Sequence, residues 1–142
     1  MRILLVEDND DHAELVKLSL DQHRVANEIF HVEDGQKAVD YLFRRGAFQD
    51  PAVSPRPTVI LLDLRLPKID GLEVLREIKA AENLKNIPVV VLTTSAAETD
   101  VSEAYAQHVN SFVVKPLDFQ KFSQLIEDLG YYWMAWNRAS SD

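Results

Sequence analysis

Apolar and polar residues follow two alternating patterns along the chain. Five short runs are rich in apolar or β-branched residues, and such runs predict strands buried on both faces. They lie at residues 2–6, 28–32, 58–62, 89–94 and 111–114. After each run, apolar residues recur every three or four positions, which predicts an amphipathic helix. Five strand and helix repeats with short connections predict an α/β fold, in which helices cover both faces of a parallel five-stranded sheet.

Each predicted helix buries one face. The inward residues of the first three helices are Ala13, Val16, Leu20, Ala38, Leu42, Val74, Leu75, Ile78 and Ala81, and Phe43 is a further candidate. A fourth helix is predicted at residues 100–108, and a fifth begins near Phe119. One connection is longer, because residues 46–57 hold three prolines and no periodicity. We expect a surface connection there, the loosest segment of the chain.

Length and composition narrow the class of protein. With 142 residues, 46% of them hydrophobic, we expect one domain. A net charge of -8 argues against nucleic-acid binding. The chain has no cysteine, which excludes disulfides, zinc thiolate sites and thiol catalysis. No stretch resembles a signal peptide or a membrane-spanning helix, so we expect a cytoplasmic protein without membrane contact.

Polar residues follow the predicted strands at one edge of the sheet. Glu7 and Asp8 follow the first strand, and Asp63 ends the third. Thr93 and Lys115 lie at the ends of the fourth and fifth strands. Open α/β sheets place their ligand crevice at this edge. Three carboxylates gathered there would repel one another unless a cation lay among them, and oxygen ligands favour Mg²⁺.

The four histidines show no pattern that indicates a site. His12, His23, His31 and His108 have no acidic or hydroxyl partner at motif spacing. We therefore expect all four to be structural or surface residues.

A metal ion and a lysine beside a carboxylate suit phosphoryl transfer, because the oxygens of the moving group need positive charge and hydrogen-bond donors. Asp63 would be the nucleophile and would become an acyl phosphate. Thr93 would donate its hydroxyl to one phosphoryl oxygen, and Lys115 would pair with another. The sequence thus predicts Asp63, Thr93 and Lys115 as catalytic residues.

These motifs together resemble the receiver domain of two-component response regulators over nearly the whole chain. The matching residues are Glu7-Asp8, Asp63, Leu66-Pro67, Asp70-Gly71, Thr93 and Lys115-Pro116. The resemblance implies a flavodoxin-like (βα)5 three-layer sandwich with strand order 2-1-3-4-5. It also implies phosphoryl transfer from the histidine of a sensor kinase to Asp63.

The resemblance implies a ligand set as well. Mg²⁺ would be bound by Asp8, Asp63 and the backbone carbonyl of Arg65, with Glu7 as a supporting acid. Arg65 and Ser95 lie where the family tunes the lifetime of the phosphorylated state.

Two further positions match the switch of that family. Thr93 and Phe112 would form a two-state element, which would carry the signal to a surface made by helix four, strand five and helix five.

A narrower resemblance lies outside the site. The strings LTTSAAETD, HVNSFVVKP and LGYYWMAWN look like the small stand-alone regulators paired with bacterial and cyanobacterial phytochromes. This resemblance implies a phytochrome-type kinase as partner. It also implies no DNA-binding output domain, for which the chain has no room after Trp136.

The tail carries an aromatic stripe at helical spacing. Phe119, Phe122, Ile126, Leu129, Trp133 and Trp136 step by three or four positions, and Leu125 and Tyr132 widen the stripe. Because tyrosine and tryptophan are enriched in interface cores, we expect a homodimer through this stripe. We divide the chain into a receiver domain at 1–129 and a dimerisation extension at 130–142. The alternative is that the stripe covers an exposed face of the sheet.

Three other functions compete with a phosphoacceptor regulator. A phosphatase of the haloacid dehalogenase type needs an acid two residues after its aspartate, where this chain has Arg65. In a flavodoxin-like cofactor site, the acids after strand one would repel the phosphate of the cofactor. A pseudo-receiver that only binds a partner would not need the intact carboxylate set. We expect no enzyme activity beyond self-phosphorylation and self-dephosphorylation.

A truncation tests the predicted dimer. A chain that ends at Leu129 should be monomeric, whereas the full chain should be dimeric, because the truncation removes both tryptophans of the stripe. Light scattering after size-exclusion chromatography measures the mass. A chain that ends at Asn137 keeps the stripe and is the control. An unchanged mass after truncation at Leu129 would contradict a tail-mediated dimer.

Overall fold

The computed structural model describes residues 2–22, 28–93, 106, 109, 111–114, 124 and 128. Strands and helices alternate along these residues. They are β1 (Arg2–Val6), α1 (Asp10–Gln22), β2 (Glu28–Val32), α2 (Gly35–Phe43), a 3-10 turn (Gly46–Phe48), β3 (Val59–Asp63), α3 (Gly71–Ala80), β4 (Val89–Thr93) and β5 (Ser111–Val114). None of these helices is both long enough and apolar enough to span a bilayer.

The five strands form one parallel sheet of order β2-β1-β3-β4-β5. The flavodoxin-like fold and the predicted strand order 2-1-3-4-5 are therefore confirmed. The chain leaves β1 toward β2 and later returns to place β3 on the other side of β1. This reversal puts a crevice at the carboxyl ends of β1 and β3, the position where open α/β sheets bind ligands.

Both faces of the sheet are buried, as continuous apolar strands require. Side chains alternate between the faces along each strand. Ile3, Leu5 and Leu61 pack with α1 residues on one face, whereas Leu4 and Leu62 pack with α2 and α3 on the other. Eight of the inward residues predicted for the three helices are buried: Ala13, Val16, Leu20, Ala38, Leu42, Val74, Leu75 and Ile78. Phe43 and Ala81 are only partly buried against the same core, and Ala81 follows the last residue of α3.

Aspartates cap the two helices that border the crevice. The Asp34 carboxylate accepts a hydrogen bond from the backbone N–H of Lys37, and that of Asp70 accepts one from Leu72. Such caps satisfy amide groups that have no partner inside the helix. The cap at Asp70 starts α3 at Gly71.

The connection at 46–57 lies at the surface, as predicted, and is fastened to the fold by several hydrogen bonds. That it is the loosest segment stays a prediction. Ser54 is buried, and its hydroxyl lies 2.9 Å from the carbonyl oxygen of Phe48. The Tyr41 hydroxyl donates to the carbonyl of Pro55 at 2.7 Å, and Arg56 donates to the carbonyl of Leu42. Side chains of α2 and of the connection satisfy these carbonyls, and turn composition alone does not reveal such partners.

Several predicted elements lie outside the described residues. These are most of the predicted fourth and fifth helices and the tail stripe Phe119, Phe122, Leu125, Tyr132, Trp133 and Trp136. The dimer and the division at residue 129 stay predictions.

Replacing Tyr41 with phenylalanine tests the fastening. Tyr41→Phe removes the donor to the Pro55 carbonyl, so we expect the free energy of unfolding to fall by about 1 kcal/mol. Urea denaturation at neutral pH measures this difference. A variant as stable as the native chain would show that the hydrogen bond contributes nothing.

The same pair has a pH signature. Burial raises the pKa of Tyr41 from 10.0 to about 12. Because the phenol ionises more easily in the unfolded chain, its contribution to stability is present below about pH 10 and is lost as the pH rises toward about 12. The native chain should lose more stability than Tyr41→Phe over this window, and equal losses would contradict the assignment.

Candidate functional site

Three carboxylates meet at the carboxyl ends of β1 and β3. One oxygen from each of Glu7, Asp8 and Asp63 lies within 4.8 Å of the other two. Glu7 is fully buried, Asp63 is 5% exposed and Asp8 is exposed. The register that pairs Val6 with Leu62 brings the acids together. The predicted clustering of these residues is confirmed.

The donor set fits a hard divalent cation. All three side chains offer oxygen, which Mg²⁺ and Mn²⁺ prefer. Two oxygens bound to one Mg²⁺ lie about 3 Å apart when adjacent and about 4 Å apart when opposite, so three oxygens within 4.8 Å of one another are close to the range that one ion can join. Buried like charges oppose their own ionisation unless a cation neutralises them. This arrangement therefore favours binding of a divalent ion.

Glu7 is held at both its backbone and its side chain. Its N–H donates to the carbonyl of Val32 at 3.1 Å. Its carbonyl accepts from the Nε2 of His31 at 2.8 Å. Its Oε1 lies 3.3 Å from the Nδ1 of His12. His12, which was expected to be a structural or surface residue, thus contacts one of the clustered acids.

Sequence spacing did not reveal this contact. His12 follows Glu7 by five positions, across the junction between a strand and a helix, where neither helical nor strand periodicity applies. The strand and helix order could have indicated the contact, because a helix that follows a strand has its first turn at the carboxyl edge of the sheet, near the strand-end acids. His31 lies in β2 and contacts the backbone of Glu7. His23 and His108 are outside the described residues.

Asp63 is the last residue of β3 and starts a tightly placed loop. Its Oδ1 accepts from the backbone N–H of Arg65 at 2.8 Å, which orients the carboxylate. The loop then returns to the strand end, where the N–H of Gly71 donates to the carbonyl of Leu64 at 3.1 Å. A Cβ on Gly71 would lie 2.3 Å from the carbonyl oxygen of Asp63. The close approach of α3 to the strand end thus requires glycine.

The N-terminus of α2 holds the other side of this loop. The N–H of Gly35 donates to the carbonyl of Pro67 at 3.3 Å, and a Cβ on Gly35 would lie 1.8 Å from the carbonyl oxygen of Ile69. Lys68 has a positive φ of 70°, and its Nζ lies 3.5 Å from Asp34. These contacts join residues distant in the chain, so local sequence patterns do not predict them.

The remaining predicted site residues are described in part or not at all. Thr93 ends β4, beside the strand of Asp63, and Phe112 lies in β5 opposite Val91. The side chains of Thr93 and Phe112 are outside the described part of the structure, as are Ser95 and Lys115 entirely.

Comparisons with known proteins agree with this geometry. Residues 3–127 match the family model of the response regulator receiver domain. The probable methanogenesis regulatory protein FilR2 of Methanothrix harundinacea is 44% identical over 137 residues, which are 96% of this chain and 86% of that protein. The response regulator Rcp1 of Synechocystis is 42% identical over 132 residues, 93% of this chain and 88% of that protein.

Solved structures give the same result. The phosphorylated cyanobacterial phytochrome response regulator RcpA superposes with a TM-score of 0.79 and 41% identity, over 94% of this chain and 93% of that one. The Mn²⁺-bound form of Rcp1 superposes with a TM-score of 0.79 and 42% identity, over 93% of each chain.

Substitution of Gly71 tests whether the close approach of α3 to the end of β3 positions the acids of the site. Helix propensity alone would favour Gly71→Ala. Because the new Cβ collides with the Asp63 carbonyl, we expect the variant to lose about 1–3 kcal/mol of stability and to bind Mg²⁺ more weakly. Urea denaturation and calorimetric titration measure these quantities.

The control is Glu73→Ala, an exposed position in the same helical turn. Its stability should stay within about 0.5 kcal/mol of the native chain. If Gly71→Ala matched this control in both measurements, the close approach would have no role in the site.

Proposed function

The chain belongs to the response regulator receiver domain family, and on this premise we propose that it accepts a phosphoryl group on Asp63 from a sensor histidine kinase. The observation that carries the proposal is the meeting of Glu7, Asp8 and Asp63 at one sheet edge, with their oxygens within 4.8 Å. An aspartate at the end of a buried strand, beside a cation site, is suited to attack phosphorus.

In the proposed transfer, an oxygen of Asp63 forms a bond to phosphorus while the bond from phosphorus to the kinase imidazole breaks. The electron pair of that bond stays with the imidazole nitrogen. The Arg65 N–H orients the Asp63 carboxylate by donating to Oδ1 at 2.8 Å. Bound Mg²⁺ would neutralise the oxygens of the moving group. Asp8, Asp63 and the carbonyl of Arg65 would hold the ion, with Glu7 in support.

We assign the remaining roles by the match of motifs. Thr93 and Lys115 would contact phosphoryl oxygens, and Thr93 with Phe112 would form the switch. Arg65 and Ser95 would tune the lifetime of the acyl phosphate. The position of Thr93 at the end of β4, next to β3, supports its part.

A phytochrome-type kinase is the partner that the relatives favour. RcpA and Rcp1 are both similar to this chain over more than nine tenths of its length. We propose that the chain is a signalling protein rather than an enzyme. We also propose that residues 130–142 mediate a homodimer. Because the net charge is -8, we expect no binding to nucleic acid.

The rival phosphatase function lacks its general acid. The residue two positions after Asp63 is Arg65, and arginine does not serve as a general acid toward a leaving group at neutral pH.

A single substitution tests the phosphoacceptor. Asp63→Asn should abolish labelling by acetyl phosphate in the presence of Mg²⁺, because an amide nitrogen replaces one oxygen and the carboxylate nucleophile is lost. Phosphate-affinity gels and intact-mass spectrometry measure the labelled fraction. Persistent labelling of this variant would place the acceptor elsewhere.

The matched control is Asp50→Asn. Asp50 is exposed in the 46–57 connection, and its side chain accepts from the N–H of Ala52, which asparagine can still do. This variant should be labelled like the native chain.

Parallel reactions with candidate histidine kinases, phytochromes included, would then identify the partner.

A further inference from the structure

Glu7 differs from the other two acids in how completely it is held. It is fully buried, and its backbone N–H and carbonyl bond to Val32 and His31 of the neighbouring strand β2. Its position in space is therefore fixed by the sheet. The rotation of its side chain is not fixed by these backbone bonds.

His12 contacts the Glu7 carboxylate from the first helical turn. The Nδ1 of His12 lies 3.3 Å from Oε1 of Glu7. A carboxylate can only accept, so the contact is a hydrogen bond when Nδ1 carries the hydrogen. The backbone N–H of His12 donates to Asn9 at the start of α1, which places the residue in this turn.

The histidine lies outside the cluster of possible ligands. Among the described residues, the set of side chains whose donor atoms lie within 4.8 Å of one another comprises Glu7, Asp8 and Asp63. His12 is therefore placed to act on a bound ion through its contact with Glu7 rather than as a ligand. Partners of this kind orient metal-binding groups, and their loss commonly weakens metal affinity about 10–100-fold.

We propose that His12 is a positioning residue for the divalent-cation site, where it fixes the Glu7 carboxylate so that an oxygen faces Asp8 and Asp63. The inference rests on the proposed function, because it presupposes that the three acids bind a cation. The His12 side chain is 35% exposed. Its removal should therefore affect the cation site more than the hydrophobic core.

Three variants test the assignment in the full chain. His12→Leu removes the donor and keeps much of the volume. His12→Asn restores an N–H donor at the same distance from Cγ as Nδ1. Lys17→Leu is the control, because Lys17 lies on the same helix and pairs with the exposed Glu14 rather than with the site.

Two measurements separate positioning from simple stability. Calorimetric titration gives the dissociation constant for Mg²⁺, and thermal unfolding in chelator and in excess Mg²⁺ gives the stabilisation by the ion. We expect His12→Leu to raise the dissociation constant about tenfold and to reduce the Mg²⁺-induced rise in Tm. In chelator its Tm should stay close to that of Lys17→Leu. His12→Asn should bind Mg²⁺ nearly as the native chain does.

The outcomes distinguish this inference from the proposed function. Native-like or tighter Mg²⁺ binding by His12→Leu overturns the positioning role, and so does failure of His12→Asn to restore affinity. If the native chain is labelled on Asp63 and binds Mg²⁺ in these cases, the proposed function stands. A native chain that neither binds Mg²⁺ nor becomes labelled overturns both. Should His12→Leu not fold, His12→Ala supplies the same comparison.

Discussion

Repulsion among three carboxylates is the constraint on which the site depends. Glu7, Asp8 and Asp63 present oxygens within 4.8 Å of one another, and two of these side chains are almost entirely removed from water. Like charges at this distance in a poorly solvated place favour protonation or a bound cation. The fold holds them there because β1 and β3 are neighbours with aligned carboxyl ends. The same packing that buries the sheet therefore sets the charge density that attracts an ion.

The surroundings of the acids are built largely from backbone. The loop after Asp63 fits between α2 and α3 because Gly35 and Gly71 have no Cβ to displace it. Lys68 adopts a left-handed conformation in this loop, which is unfavourable for a lysine and is held by the contacts on either side. A loop so confined holds the backbone N–H of Arg65 on the Asp63 carboxylate.

The histidines add a second layer that composition did not suggest. His31 bonds to the carbonyl of Glu7 and His12 contacts its carboxylate, so one buried acid is held from a neighbouring strand and a neighbouring helix. Family membership accounts for the acids. In the role proposed for it, His12 orients the Glu7 carboxylate, while His31 holds the backbone of the same residue.

The five strands, the buried faces of the first three helices and the strand-end acids were determined by the sequence alone, and the strand order followed from the family resemblance. These features can be predicted because burial selects apolar residues at regular spacing along each strand and helix. Only the tertiary structure decided that His12 meets Glu7, that Tyr41 and Arg56 fasten the 46–57 connection, and that Gly35 supports the Asp63 loop. These contacts join segments that follow no common period, so they exist only once the sheet and its helices have packed.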